Sequence, residues 1–212
     1  MKASNYKYLI AIIFIFFGEQ IAAEDRIVIN FESPPSLNQE AKLIQNIKNY
    51  NSVQSIENYL MQQNWIENFL IKSSFFGKFH QIFIQSKKPK YVWKDKFYID
   101  SQVSTFAYDG GYPDLIRLNM PLEYLTFWIK AENQYITLFN DLSLTIRSVG
   151  FQPAVGWYLI TSDALRVNLG DELSNDTYQK LSFTLKYMFE NNLTPSIIDL
   201  RYKAGAALNY GK

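Results

Sequence analysis

Few side chains in this 212-residue chain are equipped for chemistry. His80 is the sole histidine and there is no cysteine. Disulfides, thiolate metal sites, cysteine nucleophiles and ordinary zinc or copper sites therefore lack their ligands. His80 falls in the alternating run "FHQIFIQS", beside a turn at Gly77-Lys78, and reads as a structural residue of a strand. Asp171 and Glu172 are neighbours in "LGDELSND". Acids at the start of a helix interact with its dipole, a better account of them than a catalytic carboxylate pair. "YDGGYPD" carries two glycines but no G-x-G-x-x-G or G-K-[ST] frame to cradle phosphate. No G-x-S-x-G nucleophile elbow occurs. Phe75, Phe76, Trp93, Trp128 and Trp157 could line a ligand groove, yet strand alternation assigns them to core. The expectation is a protein that is not an enzyme and uses no cofactor or metal.

Composition points the same way. The chain is 48% apolar and 17% aromatic, enough to build one or two packed domains and too much for disorder. Twenty-one basic residues against 20 acidic ones leave a formal charge of +1, without the basic surplus of a nucleic-acid binder.

The elements come in a definite order. Lys2 and Lys7 precede an unbroken apolar run, Tyr8 to Phe17, and the apolar character resumes at Ile21-Ala22-Ala23 after Glu19 and Gln20. Lysines ahead of such a run mark an export signal, so residues 8–23 read as a transmembrane signal anchor or a cleaved signal peptide. The run is shorter than the roughly 20 residues of a membrane span, and Ile21 makes a poor cleavage site after Ala23. The anchor reading makes 1–7 a cytoplasmic tail, and either reading puts residues 24 onward outside the cytoplasm. "RIVINFES" is a strand. "SLNQEAKLIQNIKN" is a helix capped by Ser36, with Leu37, Ala41 and Ile44 on one face. A second helix is capped by Ser52 and carries Val53, Ile56 and Leu60. "ENFLIKSSFF" and "FHQIFIQS" form a hairpin. Beyond Lys87-Lys88-Pro89 come short strands around a turn at Lys94-Asp95, then a helix with Leu122, Leu125, Ile129, Ile136 and Phe139 on one side. The strands "LTIRSVGFQP", "VGWYLITSD" and "LRVNLGD" follow. A last helix has an apolar face of Tyr178, Leu181, Leu185 and Met188, and the final strand begins after Pro195. The fold class is α+β: a β-α-α-β-β unit over 24–88, then a mixed carboxy-terminal sheet with two helices over 89–212, ending in an edge strand.

The order strand-helix-helix-strand-strand, the stretch "KPKYVWKDKFYIDSQVSTF" with Pro89, Trp93, Asp100 and Phe106, and the ending "IIDLRYKAGAALNY" together resemble the FtsQ/DivIB family of bacterial cell-division proteins. The resemblance covers essentially the whole chain from the apolar segment onward. It implies a POTRA-like domain over 24–88 and an FtsQ-type β domain over 89–212. It also implies a single-pass inner-membrane protein with its bulk in the periplasm, enriched at the division septum. The function implied is a non-enzymatic divisome scaffold that links early and late division proteins. FtsB and FtsL are the implied partners of the last strand, and FtsK of the POTRA-like domain. Carried over by position, Arg201, Tyr202, Gly205, Ala206 and Tyr210 are the partner-contacting residues, with Tyr210 where the family commonly has tryptophan. Val103 stands where that pattern has glycine, and Ser86 where an acidic residue is often found.

The residues of the last strand agree with such a role. Asp199, Arg201 and Lys203 alternate with Ile198, Leu200 and Tyr202, so one face would be apolar and the other charged. An open strand edge is an aggregation hazard unless it is blunted or used, and these charges would blunt nonspecific pairing yet permit a chosen partner to add a strand. A POTRA-bearing secretion or outer-membrane assembly protein is the main alternative, but no run of amphipathic membrane strands follows. A secreted ligand-binding protein would need convergent polar residues in a pocket. Membrane fractionation separates the released proteins from the scaffold.

Overall fold

The computed structural model describes residues 11–12, 26–74, 79–203 and 205–211. From the amino terminus the elements are β1 (Ala11–Ile12), β2 (Arg26–Ser33), α1 (Leu37–Ile47), α2 (Val53–Met61), β3 (Ile66–Ser73) and β4 (Phe79–Ser86). Next come β5 (Pro89–Trp93), β6 (Phe97–Asp100), β7 (Thr105–Ala107) and β8 (Ile116–Asn119). A 3-10 turn over Leu122–Tyr124 leads into α3 (Leu125–Asp141), β9 (Ile146–Gln152), β10 (Gly156–Thr161) and β11 (Arg166–Gly170). The chain ends with α4 (Asn175–Glu190), β12 (Ile197–Asp199) and β13 (Ala207–Asn209). Two compact units result: Met1–Pro89 with Ile99–Pro113, and Lys90–Tyr98 with Asp114–Lys212.

In the first unit the expected order strand-helix-helix-strand-strand is the one found from β2 to β4. The sheet order is β1-β2-β4-β3, with β2 parallel and β3 antiparallel to β4. Along β4, His80, Ile82, Ile84 and Ser86 are buried in strict alternation, as a strand with one face on a core requires. The Nδ1 of His80 meets the hydroxyl of Ser73 across the hairpin at 2.9 Å. Leu43, Ile47, Ile56 and Leu60 are buried from the helices, each contributing about 1.5–3 kcal/mol of transfer free energy. Ser36 caps α1 in a full capping box with Gln39, and Ser52 caps α2 through Ser55. The expected apolar face of α1 is corrected. Leu37 is 84% exposed, and the inward face is Gln39, Leu43 and Ile47. Leu43 and Ile47 lie four residues apart and together bury more surface than Ala41 and Ile44 would.

The stretch after β5 explains two residues of the proline-tryptophan-aspartate motif. The carboxylate of Asp100 is buried and accepts from the backbone N–H of Gln102 at 2.9 Å and of Ser104 at 2.8 Å. It thereby folds a tight turn in which Val103 has φ +63°. Left-handed backbone is costly for a β-branched residue and free of strain for glycine. Phe106, two residues after Ser104, is buried.

In the second unit the sheet order is β13-β12-β11-β10-β9-β8-β5-β6. Parallel pairs (β5/β8, β8/β9, β11/β12) mix with antiparallel ones (β9/β10, β10/β11, β12/β13), so the mixed sheet with two helices is found. Trp93 donates its indole N–H to the carbonyl of Met120 at 2.8 Å. The inward stripe of α4 includes Leu181, Leu185 and Met188, as expected. That of α3 is Leu125, Trp128, Ala131, Glu132, Tyr135 and Phe139, whereas Ile129 and Ile136 are only half-buried. Aromatic bulk decides the helix rotation here, and Glu132 can enter the core because Lys90 Nζ and the Tyr91 hydroxyl both donate to it.

Of the expected membrane segment 8–23, only Ala11–Ile12 is described, paired antiparallel with Asn30 and Ile29. The rest of it, the tail 1–7, Phe75, Phe76 and the Gly77-Lys78 turn lie outside the described residues. Among the described residues no helix is long and apolar enough to cross a membrane.

Candidate functional site

The carboxy-terminal segment differs from the single broken strand its pattern suggests. It makes two short strands. β12 runs parallel to β11, and β13 folds back antiparallel on β12 with Ile197 opposite Asn209, Ile198 opposite Leu208 and Asp199 opposite Ala207. The sheet therefore ends on β13, and β12 is covered by the chain's own last residues. The expected alternation holds only as far as Leu200: Ile198 and Leu200 are buried, but Tyr202 is 58% exposed. Beyond Leu200 the backbone is no longer strand, so period-2 reasoning stops applying.

Local interactions explain the bend. Leu200 donates its N–H to the Asn168 carbonyl on β11 at 2.9 Å, the last tie of β12 to its neighbour. Asp199 then accepts from the backbone N–H of Arg201 at 3.1 Å and from its guanidinium, at 2.9 Å from Nε to Oδ1 and 2.6 Å from Nη2 to Oδ2. Those hydrogen bonds hold the Asp199 carboxyl below the usual carboxylate range. On α4, Lys180 donates from Nζ to the carbonyls of Leu200 at 3.0 Å and Tyr202 at 2.7 Å. Gly205, at φ +77° with open space around its Cα, turns the chain into β13. At the far end Ser196 donates its N–H to the Asn209 carbonyl at 2.8 Å, and its hydroxyl lies 3.1 Å from that carbonyl and 2.8 Å from the carbonyl of Gly211.

The five residues singled out in the sequence fall around this hairpin. Arg201 and Tyr202 are on the bend, Gly205 and Ala206 lead into β13, and Tyr210 follows it. None lies within a strand. Tyr202 and Tyr210 are both more than half exposed, Ala206 is half-buried, and Arg201 is already forked onto Asp199. Lys180 and Ser196 were missed. A lysine on a helix and a serine after a proline carry no local sign that they grip a segment some 13 to 22 residues away in sequence.

Elsewhere in the second unit an open cleft of about 510 Å³ is lined by Tyr124, Phe127, Lys130, Trp157, Asp171 and Glu172, among others. Tyr124 stacks on Phe151 with centroids 4.0 Å apart, and Trp157 meets Phe151 edge-on. Trp128 and Trp157 are buried, as expected of core aromatics. Asp171 and Glu172 precede α4 rather than beginning it: the N-cap is Ser174 and the acid of the first turn is Asp176. Among the described residues no group of three or more histidine, cysteine or acidic side chains could hold a metal ion.

The chain is an α+β protein with two sheets, and its last described strand is an edge strand near the exposed side chains of Tyr202 and Tyr210. No family model matches the chain. Two curated proteins are similar to it, both named cell division protein FtsQ. The one from Aliivibrio fischeri is 19% identical over 166 residues, covering 74% of this chain and 62% of that protein. The one from Vibrio cholerae is 24% identical over 139 residues, covering 61% of this chain and 51% of that protein. The chain thus spans between half and two thirds of the length of these relatives. Over that span it is FtsQ/DivIB-like in sequence, in agreement with its motifs.

Proposed function

We propose that this chain is a non-enzymatic divisome scaffold of the FtsQ type. In this reading residues 8–23 anchor it in the inner membrane with 1–7 in the cytoplasm. Residues 24–88 act as a POTRA-like recruitment domain that meets earlier division proteins such as FtsK. Residues 89–212 bind FtsB, with FtsL in the same complex, by strand addition at the carboxy-terminal edge. Arg201, Tyr202, Gly205, Ala206 and Tyr210 are the contact residues. The similarity to two FtsQ proteins carries the reading. The exposed edge at β13 supports it, because edge strands left open are otherwise aggregation hazards. Tyr202 and Tyr210 supply the rigid aromatic anchors that dominate interfaces.

The test is a pull-down of the full chain with the periplasmic segments of FtsB and FtsL from the same genome, comparing wild type with Tyr202→Ala and Tyr210→Ala. Binding lost in the variants with unchanged circular dichroism is the expected result. A folded wild type that captures neither segment would remove the reading.

A further inference from the structure

We infer that Lys180 and Ser196 are positioning residues of the docking edge: they need not touch the partner, but they hold β13 in the place where a partner strand can add to it. The inference rests on the docking function proposed above and deepens it.

The strand that forms the edge is weakly held by itself. β13 is three residues long, Ala207 and Leu208 are half-buried, and Asn209 is exposed. So little buried apolar surface cannot by itself fix a strand against the entropy of ordering it. The antiparallel pairing of β13 with β12 spans only three residues, and the hydrogen bonds beyond its two ends add to it. At one end the ammonium of Lys180 takes two carbonyls of the bend, those of Leu200 and Tyr202. Among the described residues Lys180 has no carboxylate at ion-pair distance, so its charge is directed onto backbone. Such charge-assisted bonds are about twice as strong as neutral ones. At the other end Ser196 meets the carbonyls of Asn209 and Gly211 with its hydroxyl, and that of Asn209 with its N–H. The two grips bracket β13 and leave its outer edge for an incoming extended segment. Leu181, the next residue after Lys180, is fully buried, so the lysine is presented from a fixed helix rather than a loop.

An edge ordered in advance spares the partner the cost of ordering it. If the edge is formed only a fraction of the time, apparent affinity falls by that fraction. Lys180→Met keeps the apolar stem and removes the donor. It is expected to speed amide exchange at Ala207–Asn209 about tenfold and to weaken binding of the FtsB periplasmic segment by a similar factor, with the thermal midpoint of the full chain little changed. Lys180→Arg, which keeps charged donors, is expected to restore both. A purely stabilising role would lower the midpoint without separating edge exchange from the exchange of β9 and β10. Wild-type exchange at β13 together with wild-type affinity in Lys180→Met would overturn the inference. If that variant fails to fold, Ser196→Ala tests the other grip with the same readouts. If wild type binds no FtsB segment, the docking function falls. The exchange comparison then still decides the grip: fast exchange at β13 in the variant sustains it, and unchanged exchange ends it.

Discussion

Arg201 closes back on Asp199, its guanidinium spanning both carboxylate oxygens two residues earlier in the chain. The pair fixes the point at which β12 ends and the bend toward β13 begins. The Arg201 hydrogen bond lowers the Asp199 pKa, so folding favours the ionised form. Its contribution is complete above the ordinary carboxylate range and is lost as pH falls through the depressed value. Amide protection of Ala207–Asn209 is therefore expected to be flat from neutral pH down to about pH 4 and to decline below it. Asp199→Asn should abolish that acid step and give lower protection throughout. Hydrogen exchange across a pH series checks both, and an unchanged acid step in the variant would assign it to another group.

Val103 offers a gain in stability. It adopts φ +63° in the turn that Asp100 folds, at the position where the FtsQ-like pattern has glycine. Left-handed backbone costs an L-residue about 1–2 kcal/mol, and glycine returns part of that as unfolded-state entropy. Val103 is exposed, so little packing is lost. Val103→Gly is expected to raise stability by about 0.5–1 kcal/mol in denaturant melts. A lower midpoint would show that the turn tolerates valine without strain.

Glu132 is a buried acid with two donors, Lys90 and Tyr91. Glu132→Ala leaves the Tyr91 hydroxyl buried without its acceptor, and a loss of about 2–4 kcal/mol is expected. Glu132→Gln, which keeps an acceptor, should lose less. Burial first, and the Glu132 carboxylate second, raise the Tyr91 pKa. The protonated phenol is thus favoured by folding, and its contribution is present below the ordinary tyrosine value and lost as pH rises past about 10. An alkaline unfolding step that moves in Tyr91→Phe is the signature to look for.

Gly156 opens β10 with φ +77°, and a Cβ there would overlap the carbonyl of Gly170 on β11. Gly156→Ala combines left-handed strain with a backbone clash and is expected to cost about 2–4 kcal/mol. The check is a chemical melt of the full chain followed by tryptophan fluorescence, since Trp157 is adjacent. A cost under half that range would mean that β10 and β11 separate easily at this end.

Much of the architecture was legible because it is local. Ser36 and Ser52 announce their helices by a side chain three residues from the N–H it caps. The alternation of β4 is a direct record of which face meets the core. The α4 stripe Leu181-Leu185-Met188 was readable because its members are plainly aliphatic or thioether side chains at helical spacing. The α3 stripe was partly misread for the opposite reason. Trp128, Glu132 and Tyr135 carry polar atoms, so a count of aliphatic residues passes over them, and for Glu132 only its partners show that its carboxylate can be taken inside. Glu132 has Lys90 and Tyr91, more than 40 residues away.

For the proposed site, the sequence by itself determined only that Arg201, Tyr202, Gly205, Ala206 and Tyr210 fall within one ten-residue stretch, with Gly205 able to turn the chain. Tertiary structure alone decided their geometry. Period-2 alternation continues in the letters past Leu200, but strand continues only while backbone groups find a neighbouring strand. After Leu200 donates to Asn168, the carbonyls of Leu200 and Tyr202 are taken by Lys180, a residue of a helix. The Asp199–Arg201 pair that turns the backbone is local, but the helix lysine that takes up the carbonyls of the bend is not, and nothing in the local pattern of the last 17 residues could record that contact.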